Sequence, residues 1–120
     1  MKELKVFETQ QEGTFRYTGI TSFENLLEVT GDYPFDEEVM EKAEIHKRNM
    51  SAPFSVTLRI SPDAVIKENE GETTFSFADY DIRDGRSKCA AIGLLEPECL
   101  EDNLVKVHIF VLEKEKMDLL

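Results

Sequence analysis

The sequence predicts an α+β domain, a curved and mostly antiparallel sheet with a helix pair, about 21–30 and 36–49, packed on one face. Three observations carry this. Phe54, Val56, Leu58 and Ile60 alternate with Ser55, Thr57, Arg59 and Ser61, the cleanest period-two pattern in the chain. Val105, Val107, Ile109 and Val111 alternate with Leu104, Lys106, His108, Phe110 and Leu112, so one wholly β-branched face belongs against a core. Between residues 21 and 49 the apolar spacing changes to that of helices. Strands in runs joined by short turns, in the order β-β-α-α-β-β-β-β-β, imply antiparallel pairing, with the strand order left open.

Taken in order, Leu4, Val6 and Phe7 suggest a strand over about 3–8, and the polar run Gln10 to Gly13 a hairpin turn. A second strand follows over 14–20. Thr21 and Glu24 fit a capping box, Phe23, Leu26 and Leu27 form one apolar stripe, and Gly31 is a stop. Asp36 can cap the second helix, whose start holds Glu37, Glu38 and Glu41 and whose end holds Lys47 and Arg48, in keeping with the helix dipole. Pro53 marks the return to strand, and Ser61-Pro62-Asp63 a turn. A hairpin is expected from Ala64 to Asp81 around the acidic turn Glu68 to Gly71, with Phe75 and Phe77 on one face and Ala78 and Tyr80 on the other. Residues 88–95 are small and apolar, and fit either a closely approached strand or a short helix. Residues 97–103 read as a polar loop, and 114–120 as a frayed tail.

At 120 residues the chain fits a single domain, 1–120. Hydrophobic residues at 41% and charged residues at 32% place it among globular rather than disordered chains. No apolar run approaches the roughly 20 residues of a membrane span. The start, MKELKVFETQ, lacks the apolar core of a secretory signal, so the expected location is the cytoplasm. There, Cys89 and Cys99, in no CxxC arrangement, are expected as ordinary reduced thiols.

Twenty-five acidic against fourteen basic residues give a net charge of −11. Charge of that sign repels phosphate and argues against a nucleic-acid partner. It suits a protein partner with a basic surface. Asp79 to Gly85 superficially resembles a calcium loop, but positions 5 and 6 hold Arg83 and Asp84 where an oxygen ligand and a glycine are needed. No metal site and no cofactor are expected. His46 and His108 sit in patterned elements, and no HExxH, GxSxG or glycine-rich phosphate loop accompanies them, so no catalytic residue is assigned.

The candidate partner-binding residues are Tyr33, Phe35, Glu37, Glu38 and Glu41: two aromatic anchors beside an acidic helix start. The favoured reading is a small acidic, non-enzymatic module that binds a basic protein surface, such as an inhibitor, an immunity-type antidote or an assembly subunit. A second reading is a small-molecule-binding or enzymatic domain with a pocket between sheet and helices, its polar groups Arg59, Tyr80 and His108. A third is a homo-oligomer paired through an exposed edge strand.

Overall fold

The computed structural model describes residues 1–50 and 53–120. Among these the strands are β1 (Lys2–Gly13), β2 (Arg16–Ser22), β3 (Ser55–Ile60), β4 (Val65–Asn69), β5 (Glu72–Phe77), β6 (Tyr80–Asp84) and β7 (Leu104–Val111). The α-helices are α1 (Phe23–Thr30), α2 (Glu37–His46) and α3 (Arg86–Ile92). All seven strands form one mixed sheet in the order β4-β5-β1-β2-β7-β3-β6. Every pairing is antiparallel except that of β3 with β7. The α+β class and the curved, mostly antiparallel sheet with helices on one face are therefore as the sequence predicts. No helix among the described residues is long and apolar enough to cross a membrane.

The connections force the sheet to curl. β5 and β6 lie five strand spacings apart, about 24 Å in a flat sheet. Only Ala78 and Asp79 join them, and the three Cα–Cα steps involved reach about 11 Å. The link from β3 to β4 likewise has four residues to cover five spacings. The two ladders β3–β6 and β4–β5 are thus halves of one long hairpin, residues 55–84, creased across its middle. Its tip pairs with β1 and its base with β7. The tip is a two-residue turn with positive φ at both Glu70 (44°) and Gly71 (84°), the twist that a tight hairpin requires.

Side chains hold the crease. The buried Ser61 hydroxyl donates to Asp63 Oδ1 and accepts the Asp79 backbone N–H at 3.1 Å, while the Ser61 N–H donates to the Asp79 carbonyl at 2.9 Å. Asp63 Oδ1 also accepts the Ala78 N–H at 3.4 Å.

The concave face is the core. Leu4 and Val6 of β1, Val56, Leu58 and Ile60 of β3, Phe75 and Phe77 of β5, and Val105, Val107 and Ile109 of β7 are buried there with Phe23, Leu26 and Val29 of α1 and Ala90, Ala91 and Ile92 of α3. α1 packs on β1 and β2, whereas α2 packs mainly on α3. At Gly19 the sheet is crossed so closely that a Cβ would lie 2.3 Å from Val6 Cγ1, which excludes any side chain. Among the described residues no helix lies over the outward residues of β2, β7 and β3, several of which stay exposed.

Several local expectations are corrected. β1 does not turn at Gln10 but runs to Gly13 through two register shifts, with Glu8 at φ 51°. Its polar half pairs with β2 beyond the core, so no apolar alternation marks it. The α1 N-cap is Ser22, accepting the Asn25 N–H at 3.0 Å. Thr21 faces inward, and its hydroxyl donates to the Lys5 carbonyl at 2.6 Å instead. The strand expected to run unbroken to Asp81 is split by the crease, which returns Tyr80 to the side of Phe77, with ring centroids 6.0 Å apart. Of the two readings of 88–95 the helix is the observed one, and Lys114–Leu119 forms short 3-10 turns.

Replacing Ser61 by alanine strands the Asp79 N–H beside a buried position and is expected to lower stability by about 1–3 kcal/mol in urea unfolding. Ser76→Ala, on the outward side of β5, is expected to stay within about 0.5 kcal/mol of the parent. Equal effects would remove the crease bonds from the stability account.

Candidate functional site

Three helices and the linker between α1 and α2 line a half-open cleft of about 330 Å³, its side chains mostly apolar but with backbone and polar groups exposed among them. Its walls are Leu27 from α1, Tyr33, Pro34 and Phe35 from the linker, Met40 from α2, and Leu94 just past α3. Cys89 and Ala90 also line it, and Gly93 adds no side chain to the same wall. The space exists because α3 presents small residues where the other two helices present large ones.

The linker is held by Asp81, whose side chain is 15% exposed. The Tyr33 hydroxyl donates to Asp81 Oδ1 at 2.6 Å, Arg86 reaches the same oxygen at 3.2 Å, and Arg59 reaches Oδ2 at 3.4 Å. Arg86 also donates through Nε to the Ile82 carbonyl at 2.9 Å and lies 5.9 Å from the Tyr33 ring centroid. It thereby covers part of the free edge of β6. The Tyr33 ring packs at 4.9 Å from Phe35 and 5.8 Å from Tyr80, and the Tyr80 hydroxyl donates to the Val29 carbonyl at 2.9 Å. Burial, reinforced by the bond to the Asp81 carboxylate, raises the Tyr33 phenol above its ordinary value, and burial raises Tyr80 further still.

α2 starts at Asp36, whose carboxylate accepts the Val39 N–H at 2.8 Å. Helical spacing places Glu37, Met40, Glu41 and Glu44 along one side at i, i+3, i+4 and i+7, so three carboxylates run beside the cleft wall formed by Met40. Glu38 lies on another side of the helix, where it meets Lys42 at 3.7 Å in an exposed pair of little energetic weight. The exposed Ile45 shares that other side.

The structure therefore brings Tyr33 and Phe35 together in the cleft wall, with Glu37 and Glu41 on its border, and turns Glu38 away. Tyr33 is not a free anchor, since its hydroxyl is committed to Asp81. The second candidate group does not converge. Tyr80 lies on the concave side, whereas Arg59 and His108 point outward from the sheet, Arg59 to Asp81 and His108 between Thr18 and Thr57. Sequence reasoning left out Leu27, Met40, Leu94 and Cys89, which come from three separate stretches of chain. Glu44, one helical turn beyond Glu41 on the same side, completes the acidic stripe.

Nothing reactive is presented to the cleft. Burial pushes the Cys89 thiol up to about 12, so it is neutral at physiological pH. The Thr30 hydroxyl is returned to the Leu26 carbonyl at 3.1 Å. Among the described residues no three His, Cys, Asp or Glu side chains converge as metal ligands would.

Two outcomes are expected. A thiol reagent at pH 8 should titrate Cys99 quickly in the native protein and Cys89 only on unfolding, and two fast thiols would overturn the burial assignment. Because the folded Tyr33 value lies above its ordinary 10, the stabilisation this phenol contributes is present below about pH 10 and is lost as pH rises through the raised value. Tyr33→Phe should cost about 1–2 kcal/mol at neutral pH and flatten that alkaline loss, measured by thermal melts against pH. An unchanged alkaline slope would assign the loss elsewhere.

Comparison of the chain with protein-family models, with curated proteins and with solved structures finds no match.

Proposed function

We propose that the chain is a small acidic, cytoplasmic protein-binding module that receives a basic protein surface at the cleft between α1, α2 and α3. What supports this reading is a recess lined largely by apolar side chains, Met40 of α2 among them, on a helix whose spacing puts Glu37, Glu41 and Glu44 on the same side as Met40. The recess suits one apolar or aromatic side chain as an anchor, and the stripe suits Lys or Arg residues around it. Buried anchors supply most of the affinity in such interfaces, while the charges govern encounter rate and register. An inhibitor, an immunity-type antidote or an assembly subunit would each work in this way.

A second reading rests on the cleft volume, which reaches the lower end of the range for small-ligand pockets. A compact apolar molecule would fill it. The neutral Cys89 and the self-satisfied Thr30 support binding there rather than catalysis.

The test is affinity capture from native lysate at low and high salt, followed by calorimetry with the captured protein. A basic partner held at low salt and released at high salt is expected. A variant carrying Glu37→Lys, Glu41→Lys and Glu44→Lys should bind it at least about tenfold more weakly, and Phe35→Ala should weaken it without changing the salt dependence. Unaltered affinity in the triple variant would remove this surface. A thermal-shift response to apolar small molecules, lost on filling the recess with Gly93→Leu, would favour the second reading.

A further inference from the structure

The face of the sheet opposite the helices carries a different chemistry. On β2, β7 and β3 the outward positions include Ile20, Leu104 and Phe110, and between them Arg16, Lys106 and His108. None of the outward residues on these three strands is acidic. Carboxylates reach the face from neighbouring strands at two places, Glu12, whose Oε1 accepts the Thr18 hydroxyl at 3.2 Å, and Asp81 beside Arg59. In a chain with 25 acidic residues against 14 basic ones the face is still locally rich in cations. The apolar members are open to solvent to differing degrees, from the half-buried Ile20 and Phe110 to Leu104 at 61% exposure. Phe7, the register partner of Ile20 on β1, adds an apolar side chain at 36% exposure. An antiparallel sheet with one solvated face ordinarily shows polar residues there, and an apolar patch on such a face marks an interaction site.

The charges are arranged for use. Arg16 stands 5.5 Å from the centroid of the Phe110 ring, which keeps its guanidinium over the aromatic. Arg59, on the other side of Phe110, is already neutralised by Asp81. Lys106 and His108 follow at alternate positions of β7 and make no hydrogen bond or ion pair with another described side chain. The outward stripe from Leu104 to Phe110 is about 20 Å long, the length of about thirteen helical residues.

We propose that this face docks an acidic amphipathic helix of a partner protein, whose apolar side covers Ile20, Leu104 and Phe110 and whose carboxylates meet Arg16 and Lys106. A helix is the layer that completes an open sheet face. Charge selects the partner. A second copy would bring a second set of the same cations into the interface, where like charges are disfavoured. A nucleic acid would extend its phosphates beyond the patch and over the acidic remainder of the molecule. Within one Debye length, about 8 Å at physiological salt, an acidic helix senses the local cations rather than the net charge. The site is separate from the helical cleft and takes a partner of the opposite sign.

The experiment uses fluorescence anisotropy with a labelled amphipathic peptide of Leu, Glu and Ala, and with its counterpart carrying Lys for Glu. Saturable binding of the acidic peptide is expected. It should weaken at least about tenfold in the Arg16→Glu, Lys106→Glu variant and with added salt, and stay unchanged in a variant carrying Glu96→Gln and Glu98→Gln, two exposed residues outside both surfaces. The milder pair Arg16→Gln, Lys106→Gln gives the same reading if the reversal variant loses its cooperative melt. Absence of saturable binding, undiminished binding in both pairs, or preference for the Lys peptide would overturn the proposal. So would preferential binding of a labelled single-stranded RNA, or sedimentation as a dimer that Phe110→Ser dissociates.

Discussion

Two residues, Ala78 and Asp79, impose the geometry on which the rest of the molecule depends. They join strands that would stand about 24 Å apart in a flat sheet, so the sheet has to wrap. Ser61 and Asp63 secure the crease by pairing backbone groups that the broken ladders leave without partners. Wrapping gives the sheet an inside and an outside. The inside is filled by β-branched and aromatic side chains and closed by α1 and α3. α2 then rests on α3 rather than on the sheet, and the recess forms where these helices meet the α1–α2 linker.

Much of this was legible in local patterns. The alternation in β3 and β7 named the buried face correctly, because a half-buried strand must separate its apolar and polar residues by parity. The α1 and α2 helices announced themselves through caps and apolar spacing, although the cap of α1 moved one residue, since Thr21 faces inward and bonds to β1. What escaped was non-local. Ala78 and Asp79 are poor strand residues but form no turn motif specific enough to mark a crease between Thr73 and Asp81, and the strand order follows from the crease. The same holds for the candidate site. Tyr33 and Phe35 stood out as aromatics ahead of a capped helix, but the recess needs Leu27, Cys89 and Leu94, brought together by the assignment of α3 as a helix. Arg59, Tyr80 and His108 were grouped by chemistry alone, and the sheet separates them onto opposite sides.

The two sides differ in sign as well as in shape. Around α2 the carboxylates dominate, whereas the outward face of β2, β7 and β3 carries Arg16, Lys106 and the Asp81-paired Arg59, with Glu12 at its edge. Such a distribution creates a dipole across the thin dimension of the sheet that the net charge of −11 conceals. Asp81 sits where the two sides meet. Its carboxylate ties Arg59 of the outward face to Tyr33 of the helical linker, so the two surfaces share a part-buried connection.

β7 occupies the middle of the sheet, between β2 and β3, yet it is the last strand in the chain. On the ribosome, a chain made only as far as residue 103 has two sheet edges facing an empty slot, with the apolar inner residues of β2 and β3 uncovered beside it. Closure of this sheet therefore waits until β7 has been made. The nascent chain depends through that interval on dilution or on chaperones to keep those edges from pairing with other chains.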